Sequence, residues 1–270
     1  MRSIATNTIA SRAEHAMNEA NRRVQEATSQ IATGRRINAA ADDSAGMSIG
    51  SRLSTQSISM QRAMRNANDG ISLLQTVDAA AGNLSNALQR MREIAIQSAN
   101  GTNGDSERLA LNNEFLELRD QLHATIDNAR WNGQKMLDGT LSRINLQIGV
   151  TSADGQGVDM ADFKALTALS AAGVGTPGDA MSSLASIDAS LASVDAARVG
   201  WGAAMSRLVH AGDVSSQASL QMNSARSKIM DADYAQATAD LAKAQILHMA
   251  GKAMLSQANQ APVTVLRLLR

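Results

Sequence analysis

Cysteine is absent from the chain, which excludes disulfides and thiolate metal sites. Proline occurs twice and aromatic residues make up 2% of the 270 positions. Without large aromatic anchors, a compact core or an enclosed small-molecule pocket is hard to build. Without proline, little interrupts helix. Charge of one sign is missing too: 25 basic and 25 acidic side chains balance to a net charge of zero. A balanced chain has no global drive toward nucleic acid, which calls for a dense basic face. No window approaches the ~20 apolar residues that span a bilayer, so a membrane is not an expected partner. Met1 to Ala10 lacks the apolar core of a secretory signal; a secreted destination is expected to use another route.

The chain is nonetheless 44% hydrophobic. That apolar content recurs at helical spacing. Leu184, Ile187, Leu191, Val194, Arg198, Trp201, Met205 and Leu208 step alternately by three and four, and the pattern softens through Gly212, Ser215, Ser219, Met222, Arg226 and Ile229. Such spacing is a coiled-coil seam. Asp179, after Pro177 and Gly178, is the expected N-cap of this helix. A second long helix is predicted from about Asp42–Ser44 to Ser98, with a seam of Leu53, Met60, Ala67, Leu74, Val77, Ala81, Leu84, Leu88, Met91 and Ala95. At 1.5 Å per residue it would be roughly 80 Å long, against about 50 Å for a compact globule of this length. A rod is expected.

Asn100–Ser106 should break that helix and start a third, lined by Leu111, Phe115, Leu118, Leu122 and Ala129 and ended by a turn at Asn132–Gly133. Arg143–Val150 alternates apolar and polar residues as a half-buried strand does. Asp154–Gly157 has turn chemistry, with Val158–Phe163 as the expected return strand.

Both ends carry weaker stripes. Ile9, Ala13, Ala16, Ala20, Val24, Ala27 and Ile31 form one; Tyr234, Ala237, Leu241, Ala244 and Leu247 form the other. Each alanine in place of leucine forgoes roughly 2 kcal/mol of burial. Four of them in the first stripe lack about 8 kcal/mol, comparable to the stability of a whole domain. The terminal helices are therefore expected to need neighbours, which points to a polymer of like chains.

Site motifs are few. Gly46-Met47-Ser48-Ile49-Gly50 matches the G-x-S-x-G hydrolase pattern, but the chemistry needs a strand before the serine, and Asn38–Ser44 is polar. The first turns of a helix explain it better. Gly173–Gly178 matches G-x-G-x-x-G without a convincing strand at Leu166–Ala172 or any βαβ context; a flexible loop is expected. His15, His123, His210 and His248 are dispersed, whereas metal and acid–base roles need clusters. Asp231 and Asp233 lack the glycine and terminal glutamate of a calcium loop and should favour the start of the last helix. Arg65, Arg90 and Arg92 read as a solvated face beside nearby acids. No enzyme activity, cofactor or metal is predicted.

Thr33-Gly34-Arg35-Arg36-Ile37-Asn38 with Ala41–Gly46, Arg65–Ser72, Leu88–Ile94, Asp231–Tyr234 through Leu247, and Gln257–Pro262 together resemble bacterial flagellin, over roughly residues 1–140 and 180–270. The resemblance implies a mainly α fold: an antiparallel coiled-coil rod with a small β-hairpin, and terminal helices pairing in a filament core. It divides the chain into 1–40 and 230–270 (core), 41–178 (rod helices and hairpin) and 179–229 (rod), without large outer domains. It implies a structural filament subunit for motility, secreted through the flagellar type III export channel. The implied partners are other copies of the chain, an export chaperone at the C-terminal helix, filament cap and hook-associated proteins, and a Toll-like receptor of animal hosts. Recognition by that receptor would fall on Gln89, Arg90, Ile94 and Glu114, with rod packing between subunits as the heavier role there. Met1–Ile4 and the basic Arg267 within Val265–Arg270 depart from the pattern. A hook–filament junction protein is the nearest alternative, but such proteins tend to have proline where this chain has Ser44. A coiled-coil adaptor would not need two weak, mutually dependent ends.

Overall fold

The computed structural model describes residues 6–164, 166 and 173–268, with side chains to Gln260. The unusual ends noted in the sequence, Met1–Ile4 and the Val265–Arg270 side chains, and most of Leu166–Ala172 lie outside these. Helices dominate: α1 (Thr8–Thr33), α2 (Ser44–Ala99), α3 (Asp105–Asn128), α4 (Pro177–Met230) and α5 (Tyr234–Leu268). Between α3 and α4 come four short strands, β1 (Arg130–Trp131), β2 (Gln134–Lys135), β3 (Arg143–Gln147) and β4 (Gly155–Asp159). They form two antiparallel pairs, β1–β2 and β3–β4. The mainly helical fold with a small β region is thus as expected. Two compact units result, one drawn from the chain up to Thr55 and from Gln221 onward, the other Gln56–Leu220. The division falls inside α2 and α4, whereas the sequence placed its boundaries at the loops.

In the Gln56–Leu220 unit, α2 and α4 run antiparallel: the buried Ser57 and Ser219 hydroxyls meet at 3.1 Å, and Arg198 donates to Asp78 at 2.8 Å. The core joins Leu74, Val77, Leu84, Leu88 and Met91 of α2 to Phe115, Leu122 and Ile126 of α3 and to Ile187, Val194, Trp201 and Leu208 of α4. Trp201 meets Phe163 edge-on at 6.1 Å, and its indole N–H donates to the Asp159 carbonyl at 3.1 Å. Two of the few aromatic rings therefore seat the hairpin on α4, with the polar tip of the indole satisfied. On the α2 side Gly70 leaves room for Leu146; a Cβ there would lie 2.5 Å from its Cδ1. Asn66 donates to the Gln147 carbonyl at 2.8 Å beside it.

Several expectations are corrected. The N-cap of α4 is Thr176: its hydroxyl oxygen accepts from the Asp179 N–H at 3.1 Å and donates to the Asp179 carboxylate at 2.6 Å. The hydroxyl thus satisfies one open N–H of the first turn, and Pro177 takes the first helical position, where no N–H is needed. The return strand is Gly155–Asp159, paired Gln147 to Gly155 and Arg143 to Asp159, so residues read as the turn lie in β4. The Asp154 carboxylate, accepting from the Thr151 N–H at 2.8 Å, organises a longer loop instead. Asn132 and Gly133, both at positive φ, do more than end α3: they turn the β1–β2 hairpin, as a primed two-residue loop requires. The segment before α4 is not loose at its near end. Val174 is fully buried, its carbonyl accepts from Ser98 Oγ, and its N–H donates to Asn112.

Candidate functional site

Within the first unit α1 and α5 pair antiparallel. Asn7 Nδ2 donates to the Ala258 carbonyl at 2.8 Å at one end, and the Ala232 N–H donates to the Gly34 carbonyl at 3.0 Å at the other. The seam is built of small residues: Ala20, Ala27, Ala237, Ala244 and Ala258 are its buried apolar members. A Cβ on Gly251 would approach the Met17 Cβ to 3.3 Å, so the helices nearly touch backbone to backbone. Of the residues assigned to the terminal stripes, Ala13, Val24, Ile31 and Leu241 are half-buried, while Ile9, Ala16, Tyr234 and Leu247 are exposed.

What the small seam leaves uncovered is the larger side chains. Ile9, Leu247 and Met254 line an apolar groove of about 500 Å³ between α1 and α5, floored by Ala13, Ala16 and Gly251. On the far side of α5 from Ala244, Ile246 and Met249 are each 63% exposed; three residues apart, they share one face. The sequence reading missed Ile246, Met249 and Met254. Their signal was present as apolar residues falling off the alanine stripe. A helix apolar on nearly every face is normally surrounded.

Gly34 to Gly46 binds this pair to the start of α2 and the end of α4. Gly34 ends α1 at φ +68° and donates to the Gln30 carbonyl, a left-handed cap that favours glycine. The Arg36 N–H donates to the Met230 carbonyl and its guanidinium to that of Ile229, both at 2.7 Å. These are the open carbonyls at the C-terminus of α4, where a cation is also favoured by the helix dipole. Ile37 is buried. Asp42 accepts from the Asn38 and Ala39 N–H groups at 2.9 Å each, and these donors, Ala39 first, hold its carboxyl below the usual range. Asp43 accepts from the Gly46 N–H at 2.9 Å. A Cβ on Gly46 would meet the Asp43 carboxylate and Ile37 within about 2.6 Å, so a side chain there would have to displace both. The G-x-S-x-G residues thus lie in the first turns of α2, with Ser48 exposed. At the start of α5 the Asp233 carboxylate caps the Ala235 and Gln236 N–H groups.

In the Gln56–Leu220 unit, Leu84, Leu88, Met91, Ile187, Val194, Trp201 and Leu208 are buried in one cluster, with Leu184, Leu191 and Met205 partly buried against it. Arg92 pairs with Asp188 at 2.7 Å and Arg198 with Asp78 at 2.8 Å. The two pairs have opposite polarity along α2. A parallel arrangement would put like charges opposite, so they favour the antiparallel one. Arg90 reaches Glu114 at 2.7 Å and Glu93 at 3.0 Å; these hydrogen bonds, Glu114's first, raise its pKa. Gln89, Arg90 and Glu114 are exposed, but Ile94 is 1% exposed and sits in the core beneath them. Of the four residues assigned to a receptor surface, three are therefore exposed and Ile94 is not. Arg108 is buried with no carboxylate partner among the described residues, its guanidinium donating to the Ser98 carbonyl in the last turn of α2 and to the Asn100 and Asn103 carbonyls beyond it. Among the described residues no three His, Cys, Asp or Glu side chains gather as metal ligands would.

An α1–α5 pair with uncovered apolar faces offers surfaces that other chains could cover. Comparison with known proteins shows the family. The model of the bacterial flagellin N-terminal helical region matches residues 4–142, and that of the C-terminal helical region matches 184–269. A flagellin of Halalkalibacterium halodurans is 39% identical over 249 residues, 91% of this chain and 92% of that one. The crystal structure of Bacillus cereus flagellin aligns with a TM-score of 0.52 at 31% identity, covering 56% of this chain and 88% of that one. A Vibrio parahaemolyticus structure described as flagellar hook-associated aligns at 0.60 over 70% of this chain and all of its own, at 16% identity; that likeness is of fold alone.

Proposed function

Because the chain belongs to the bacterial flagellin family and is a structural subunit of the flagellar filament, we propose that α1 and α5 are its polymerisation surface, and that the subunit acts by packing, with no catalysis. The observation that carries this is the exposed apolar set Ile9, Ile246, Leu247, Met249 and Met254 around a seam of alanines. The seam alone contributes little burial, so the pair is stabilised when copies of the chain cover its outer faces.

The same exposure supports an export chaperone and cap and hook-associated proteins as partners. Before assembly, α5 presents apolar surface that a chaperone at the C-terminal helix would cover during export through the flagellar type III channel to the cell exterior. Cap and hook-associated proteins would receive the same helices at the two ends of the filament. Gln89, Arg90 and Glu114 form an outward polar patch, which serves subunit contact first and recognition by a host Toll-like receptor second. Ending the chain after Ala253 tests the core of the proposal. The truncated chain should keep the Gln56–Leu220 unit folded by circular dichroism yet fail to lengthen seeds by electron microscopy. Normal filaments from it would refute the assignment of α5. Hydrogen exchange adds a second test: 8–33 should be protected in the polymer and exchange much faster in the monomer.

A further inference from the structure

We infer that Met249 and Met254 form an oxidisable site, and that their conversion to sulfoxide by a peroxide blocks entry of the chain into its polymer. This rests on the assembly reading above, in which the outer faces of α5 become buried against other copies. Met91, Met136 and Met160 are buried in the core of the Gln56–Leu220 unit, whereas Met181, Met249 and Met254 are 69%, 63% and 60% exposed. Of these three exposed thioethers, Met249 and Met254 lie on α5. Met254 lines the groove with Ile9 and Leu247, and Met249 shares the opposite face with Ile246.

The chemistry needs only a peroxide. A thioether lone pair attacks one peroxide oxygen, the S–O bond forms as the O–O bond breaks, and the other oxygen leaves as water after proton transfer. Sulfur is oxidised by two electrons and the peroxide reduced by two. Reaction follows exposure, and the product is a polar, chiral group that disrupts methionine-lined interfaces. An added oxygen acceptor on an apolar face must be desolvated when that face is covered, at a cost on the order of a tenfold weaker association per site. Assembly and oxidation therefore compete for the same atoms, because the free chain is susceptible and the assembled one is shielded.

The test uses the full chain with hydrogen peroxide. Sulfoxides are located by mass spectrometry, and the critical concentration is read from seeded light scattering. Met249 and Met254 should convert before Met91 and Met136. The critical concentration should rise about tenfold or more, and methionine sulfoxide reductases should restore it. The Met249→Leu/Met254→Leu variant, whose exposed Met181 reports an equal dose, should polymerise alike before and after treatment. The inference is overturned if a wild-type chain carrying both sulfoxides assembles at an unchanged concentration, or if peroxide raises the variant's critical concentration as much as the wild type's. Failure of the untreated wild-type chain to lengthen seeds would instead overturn the assembly reading beneath it.

Discussion

Ile246→Ala separates assembly from folding. Fully burying an isoleucine contributes about 2 kcal/mol more than burying an alanine. With 63% of Ile246 exposed in the single chain, roughly that share of the gain is still to be collected on assembly, about 1 kcal/mol. One kilocalorie is about fivefold in an equilibrium constant, so the critical concentration for seeded growth should rise about fivefold, and several-fold more if a cavity remains in the polymer. Ile246 lies outside the Gln56–Leu220 unit, so the thermal transition of that unit should not move. Pelleting the polymer and measuring the residual free subunit gives the first quantity; circular dichroism of the monomer gives the second. A change below twofold, with Ile246 equally exposed in the polymer by hydrogen exchange or labelling, would show that this face of α5 never meets another copy, and the polymerisation surface would have to be redrawn.

Trp201→Ala should destabilise the Gln56–Leu220 unit by about 3–5 kcal/mol, seen in urea denaturation, since the indole is buried, meets Phe163 and holds the Asp159 carbonyl. Gly70→Val places a side chain where Leu146 already packs; the β3–β4 hairpin should lift from α2 at a cost of about 1–3 kcal/mol, with faster amide exchange over 143–159. Arg92→Ala breaks an exposed ion pair with Asp188 and should cost under about 1 kcal/mol, which a matched thermal melt resolves. Acid should loosen the loops before it reaches the cores. Asp42, Asp127, Asp138 and Asp154 are all held below the usual aspartate value of 3.8 by hydrogen bonds that favour the ionised form. Their contribution is fully present above that value and is lost as pH falls through the lower folded values; backbone NMR shifts at 38–43 and 151–154 should change together below about pH 3.8.

Sequence by itself determined the helices and their inward faces. Leu84, Leu88, Met91, Ile187, Val194 and Leu208 recur at coiled-coil spacing, and periodicity reports a buried stripe whatever the partner is. The alanine stripes of the two ends were equally legible, because a small side chain limits burial in any arrangement. The strand at Arg143–Gln147 could be read from its alternation. Its partner could not, since Gly155 and Gly157 look like turn residues until register places them opposite Gln147 and Asn145.

Tertiary structure alone decided the features that depend on distant residues. Arg36 meets the Ile229 carbonyl of α4, 193 positions away, Gly70 is small for the sake of Leu146, and Ile94 turns inward. It also decided which apolar groups stay uncovered. Spacing identifies Ile246, Met249 and Met254 as apolar on a helix, but only the position of α1 along α5 shows that nothing in the described chain covers them. Local pattern is a property of neighbours in sequence. Exposure is a property of what the rest of the chain fails to reach.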